Sequence, residues 1–300
     1  MNISRKIIQY SKTVGLSALM GLSSCTKDAP SVNVEQVIKE VPSKTISLIA
    51  LLERGDRHAV KLAKAPENKR VIPLDEIKNY LPNDSVGELF YQVYVGKADK
   101  AIRKATNKKG DLVTVGQGVT GYQKIRLAGG ISAKEGDYIS AHSVDSLTNL
   151  AINKKMNIIQ SAIGDSVYNK LKPNEKDAVI AYLYNVQPEI LLTSSTGKSF
   201  FEYLAEGNMG MVQSKFNVKP SSKVAEVGLA KRNLVQMLIF GDGKVYPNKE
   251  SVNNFKKQMN IVKKHKKGQE FLAEVIDIVE KYGVNSDNLT KTKTMMFPAK

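Results

Sequence analysis

Apolar residues in the second half of the chain recur at spacings of three and four, the mark of helices with a buried face. Ala178, Val179, Ala181, Tyr182, Leu183 and Val186 cover most of a helix circumference, which predicts a buried central helix that Asn174 can cap at its start. Leu234, Val235, Leu238 and Ile239 form a second stripe after Gly228, and Phe200, Phe201 and Leu204 a third. Phe255, Met259 and Val262 predict a helix in the tail. Phe271, Leu272, Val275, Ile276 and Val279 predict another that stops at Gly283. Nearer the N-terminus, Ile46 to Glu53 reads as a short helix closed by Gly55. Leu89, Phe90, Val93 and Tyr94 share one face of a helix predicted from Val86 to about Lys97, capped by Asp84 or Ser85. Residues 112–127 alternate instead and are interrupted by glycines, which predicts a small antiparallel sheet. The pattern is that of a mainly helical α+β protein.

The glycines of that sheet have the spacing of a dinucleotide-binding loop at Gly116, Gly118 and Gly121. Such a loop must open onto a helix whose N-terminus faces the pyrophosphate. Here the chain continues Tyr122-Gln123-Lys124-Ile125-Arg126-Leu127-Ala128-Gly129-Gly130, an alternating run that ends in glycine, so the nucleotide reading is set aside. Thr196-Gly197-Lys198-Ser199 ends like a phosphate loop, but the earlier glycine it needs is Leu192, and a helix start before Phe200 is expected instead.

Arg5, Lys6 and Lys12 precede a short apolar run from Val14 to Leu22, followed by Ser23, Ser24 and Cys25. This has the layout of a bacterial lipoprotein signal, in which Cys25 is acylated and becomes the new N-terminus. Cys25 is the one cysteine of the chain, so no internal disulfide can form. Removal of residues 1–24 takes away three basic side chains and leaves 42 Lys+Arg against 29 Asp+Glu. A basic surface outside the cytoplasm meets peptidoglycan and anionic headgroups rather than nucleic acid. The expected location is the cell envelope, and Thr26 after the lipidated cysteine points to the outer membrane. Residues 25–45, polar and with two prolines, read as a tether.

Five short motifs then follow in a fixed order. They are Thr114-Val115-Gly116-Gln117-Gly118; Gly136-Asp137-Tyr138-Ile139-Ser140 with Val144, Asp145 and Leu147; Leu171-Lys172-Pro173-Asn174-Glu175-Lys176-Asp177-Ala178-Val179; Tyr184-Asn185-Val186-Gln187-Pro188; and Gly228-Leu229-Ala230-Lys231-Arg232-Asn233 with Phe240-Gly241. In type, order and spacing they resemble the phage-type lysozymes, glycoside hydrolase family 24. The resemblance implies a lysozyme-like domain over residues 86–245. A helical extension over 46–85 and a helical tail over 246–300 flank it, and no cofactor or metal is implied.

Members of that family cleave peptidoglycan with a Glu as general acid, an Asp nine residues on, and a Thr beside it. One carboxyl must carry a proton for the leaving oxygen while the other stays charged. Thr114 matches the family threonine. Laying the family's acid-bearing segment on Val95-Gly96…Lys100-Ala101 puts Val95 at the acid and Lys104 at the aspartate. Counting back from Thr114 without gaps gives Asp99 and Lys108. The family histidine after the glycine strand is replaced by Val119, and a late glutamate by Gln236. Three carboxylates remain as substitutes: Asp99, Glu88 at about two helical turns before Val95, and Glu53, whose Leu51-Leu52-Glu53-Arg54-Gly55 is similar to the family's helix-ending Glu-Gly. His58, His142 and His265 lack the spacing of metal ligands. The lysines from Lys256 to Lys267 form a basic run that reads either as a solvated face or as one that meets anionic lipid.

The expected function is therefore that of a peptidoglycan-directed envelope lipoprotein, a pseudoenzyme that binds glycan strands with reduced or lost glycosidase activity. Its alternatives are an active muramidase using a displaced carboxylate, and a non-catalytic envelope adaptor or immunity lipoprotein.

Overall fold

The computed structural model describes residues 43–53, 59–62, 69–80, 88–95, 112–116, 118–186, 191, 197–218 and 223–298. The protein is α+β and mostly helical, with a small antiparallel sheet. It divides into two compact units, one formed by residues 49–153 and the other by 43–48 with 154–300.

In the first unit, four strands, β1 (Ala59–Leu62), β2 (Val71–Ile72), β3 (Glu88–Gln92) and β8 (Tyr138–Ser140), form a sheet of order β1-β3-β8-β2. Its described pairings are all antiparallel, with Phe90 opposite both Val60 and Ser140. Two hairpins complete the unit: β4 (Leu112–Val115) with β5 (Val119–Tyr122), and β6 (Lys124–Arg126) with β7 (Ser132–Lys134). Alternation fills the core from one side, so that Val113, Val115, Ile125, Ala133 and Ile139 meet Val93 and Val144 in one apolar cluster. The Asp137 carboxylate ties the turn before β8 by accepting from Lys134 N at 2.9 Å and Leu74 N at 3.1 Å.

Two sequence expectations change here. Residues 88–95, expected in a helix from 86 to 97, are strand β3 and its continuation, and Tyr94 exchanges both backbone hydrogen bonds with Thr114 at 2.8 and 2.9 Å. The apolar pairs at 89–90 and 93–94 suit a helix face, yet the aromatic and β-branched run Phe90-Tyr91-Gln92-Val93-Tyr94-Val95 suits a pleated surface as well, and distant strand partners decide it. The segment 46–85 is likewise more than a helical extension. Its helix, α1 (Ser43–Glu53), is followed by β1 and β2, which join the sheet.

The helical unit comprises the first turn of α1, the later part of α2 (Ala141–Ile163), α3 (Asp165–Lys170), α4 (Pro173–Asn185), α5 (Phe200–Ala205), α6 (Met209–Ser214), α7 (Lys223–Phe240), α8 (Lys249–Lys263), α9 (Gly268–Tyr282) and α10 (Ser286–Met296). The predicted central helix is α4: Ala178, Val179, Ala181, Tyr182, Leu183 and Val186 are all buried. Its start is held by Pro173 at the first position and by the Glu175 carboxylate accepting from Lys172 N at 2.8 Å. Asn174, expected to cap that start, instead donates to Ile239 O at 2.9 Å and Phe240 O at 3.2 Å, closing the end of α7. The helix start expected before Phe200 is present, and Ser199 caps α5 in a reciprocal box with Glu202. Gly283 ends α9 at φ +86°.

Tyr182 lies in an aromatic cluster with Phe200 and Phe216, its hydroxyl donating to Lys215 O at 2.7 Å and accepting from Asn217 N at 3.2 Å. Burial pushes its phenol up to about 12 from an ordinary 10. The unfolded chain therefore loses this proton first, so the stabilisation is complete below pH 10 and is lost as pH rises from there to about 12. Two pH units correspond to about 3 kcal/mol. Denaturant titrations across that interval are expected to show a fall that is distinctly shallower in Tyr182→Phe.

Candidate functional site

The candidate site is built on the β4–β5 hairpin. Thr114 sits between Val113 and Val115, which point into the core, so its side chain takes the opposite face of the strand; it is 7% exposed. Thr120 stands across from it on β5, and Tyr94 across on the β3 side. The turn needs its glycines. Gly116 has φ +51° and Gly118 φ +85°, and a Cβ added at Gly116 would lie 2.5 Å from Cγ1 of buried Val144. Gly116→Ala combines a left-handed backbone with overpacking and is expected to cost about 2–4 kcal/mol. A denaturation midpoint unchanged in that variant would disprove the close approach.

Around this hairpin the proposed replacements separate. Val95 follows Tyr94 on the strand and packs with Val119 on the apolar cluster, so both are core-lining side chains rather than members of a polar cleft. Val95 thus lies in an extended segment rather than near the end of the helix expected over residues 86–97. Glu88 opens β3, paired with Leu62, six residues before Tyr94. At about 3.3 Å per residue it lies about 20 Å from Thr114, not on a helix two turns from Val95, and cannot share a bond with it. Glu53, by contrast, is the last residue of α1. Asp99, Lys104, Lys108, Cys25 and His58 lie outside the described residues.

Glu88 belongs to a different feature, a hollow of about 610 Å³ lined also by Lys69, Arg70, Ser140, His142 and Ser143 at the start of α2. Its cations are engaged: Lys69 pairs with Glu76, while Arg70 donates to Ala128 O at 2.9 Å and to Ser143 Oγ at 3.4 Å. His265 stacks on Phe271 with ring centroids 4.9 Å apart. Among the described residues no three His, Cys, Asp or Glu side chains gather as a metal set, and no helix is long and apolar enough to cross a membrane.

In the helical unit, one motif residue has a role that the sequence reading did not reach. Asp177 of α4 is 4% exposed and accepts from the hydroxyl of Thr45 in the first turn of α1 and from Tyr282 OH of α9 at 2.6 Å. Burial, followed by this hydrogen bond, pushes the Tyr282 phenol far above its ordinary range. Gln236 is fully buried in α7, and neither end of its amide meets a partner among the described residues. Comparison with known proteins finds no matching family model, no similar curated protein and no matching solved structure.

Proposed function

We propose that the protein is a peptidoglycan-directed envelope lipoprotein whose lysozyme-like domain engages glycan strands beside Thr114 and cuts them with Glu53 as general acid. The observation that carries this reading is the end of α1 on Glu53, followed by antiparallel strands that lead to the Thr114 hairpin. In the phage-type lysozymes that the motifs resemble, the acid occupies a helix end and the threonine a glycine-rich strand. Val95 offers only the strand. The order of the remaining motifs also supports the reading: a glycine turn after β4, a helix beginning at Ala141, the buried α4, and α7 closing at Phe240. A protonated Glu53 would donate to the departing glycosidic oxygen as the glycosidic C–O bond breaks; water oriented by Thr114 would then add to the anomeric carbon and lose its proton to solvent, and Glu53 would be reprotonated from solvent.

A binding-only reading rests on Lys104 and Val119 standing where the family has an aspartate and a histidine. One experiment separates the two: incubation with purified peptidoglycan, followed by analysis of released muropeptides and of protein that sediments with the sacculi. Release supports the muramidase; sedimentation without release leaves a glycan-binding protein. Neither release nor sedimentation would overturn both and leave the adaptor.

A further inference from the structure

The surface of α8 and the turn after it carries charge that the rest of the helical unit does not compensate. Residues 249–267 contain seven lysines and a single acid, Glu250. The buried positions of α8 are Ser251, Asn254, Phe255, Gln258, Met259 and Val262, so its opposite side presents Lys249, Lys256, Lys257 and Asn260, and the turn adds Lys264, Lys266 and Lys267. Of these lysines Lys267 alone has an ion-pair partner among the described residues, Glu270 at 3.0 Å. The next helix behaves otherwise. On α9, Glu274 pairs with Lys231, Asp277 with Lys281 and Glu280 with Lys293, so that its acids are matched by nearby bases. A generally lysine-rich surface would spread its excess over both helices. Here it is concentrated on one, over about 22 Å of helix.

We infer that this face of α8 docks on an anionic phospholipid surface. The described part of the face has no exposed large apolar residue and no exposed aromatic ring between 249 and 267, which leaves neither a wedge for the acyl layer nor a stacking platform for a sugar ring. It offers instead a row of ammonium groups on long stems, which match a flat, dense array of headgroup phosphates without demanding a fixed geometry. The inference does not rest on the glycan-cutting reading.

The test is co-sedimentation of the full chain carrying Cys25→Ser, so that no acyl group contributes, with vesicles of phosphatidylglycerol and phosphatidylethanolamine. Phosphatidylcholine vesicles and purified sacculi serve as separate arms. Lys256→Glu/Lys257→Glu/Lys264→Glu is expected to weaken binding to the anionic vesicles at least about a hundredfold, taking about fivefold per lysine. Salt should weaken the wild-type face in the same direction. Circular dichroism checks that the variant is folded, and a triple Lys→Gln variant, expected to show a smaller loss of the same sign, serves if it is not. Binding unaltered by the substitutions, absent from anionic vesicles, equal on phosphatidylcholine, or sensitive to them only on sacculi would overturn the inference.

Discussion

Replacing Asp177 with alanine is expected to cost about 3–5 kcal/mol of folding stability, read as a lower denaturant midpoint with unchanged slope. The carboxylate is buried on α4 and receives two hydroxyl donors, from Thr45 and from Tyr282, which come from segments 132 and 105 residues away. Alanine strands both donors. Thr45 is fully buried and the Tyr282 hydroxyl faces the same interior, so neither recovers water in exchange. Each orphaned group costs about 1–3 kcal/mol, and the space left by the carboxylate adds to the loss. The triple variant Asp177→Leu/Thr45→Val/Tyr282→Phe is expected to regain most of the stability, because it removes donors and acceptor together. A cost below about 1 kcal/mol for Asp177→Ala would mean that this network does not fasten the first turn of α1 to α4 and α9.

Glu53→Gln is expected to lower muropeptide release by about two to four orders of magnitude, the usual loss when a general acid disappears. The substitution keeps the size of the side chain and a similar helix propensity, so α1 should still end where it does, and sedimentation with sacculi should persist. Glu88→Gln is expected to leave release unchanged, since Glu88 stands about 20 Å along the strand from the partner of Thr114. The contrast between the two carboxylates is the informative result. Equal rates for Glu53→Gln and wild type would remove Glu53 from the chemistry and return attention to Asp99.

Two helices of the tail, α8 and α9, were legible because their signals are local, whereas α10 was not read from its apolar pattern. An apolar stripe at 255, 259 and 262, another at 272, 275, 276 and 279, and a glycine at 283 together define α8, α9 and the end of α9. The same holds for α4, whose all-round apolar character can be satisfied only by burial, and for the start of α5 before Phe200. The glycine hairpin was also legible, since alternation and glycine together exclude a helix there.

Residues 88–95 were not legible in this way. Leu89, Phe90, Val93 and Tyr94 satisfy a helical period, while Val93, Tyr94 and Val95 satisfy a strand, and the choice rests on partners at 59–62, 114 and 138–140 that no local window contains. That one exchange puts Val95 in an extended segment, whereas the helix end expected at Glu53 is present. Asn174 shows a similar divergence: an asparagine near a helix start caps that helix by default, but with Pro173 and Glu175 already serving there it is free to close α7.

What the sequence determined by itself was the mainly helical α+β class of the fold, its helical periods, its basic charge and the residues available for chemistry, because each of these is a property of short segments or of composition. What only the tertiary structure decided was which strand lies beside Thr114, that residues 88–95 are extended, and which carboxylate is buried against two hydroxyls. Those depend on contacts between distant segments, where the free energy of pairing and burial outweighs the weak preference of any local window.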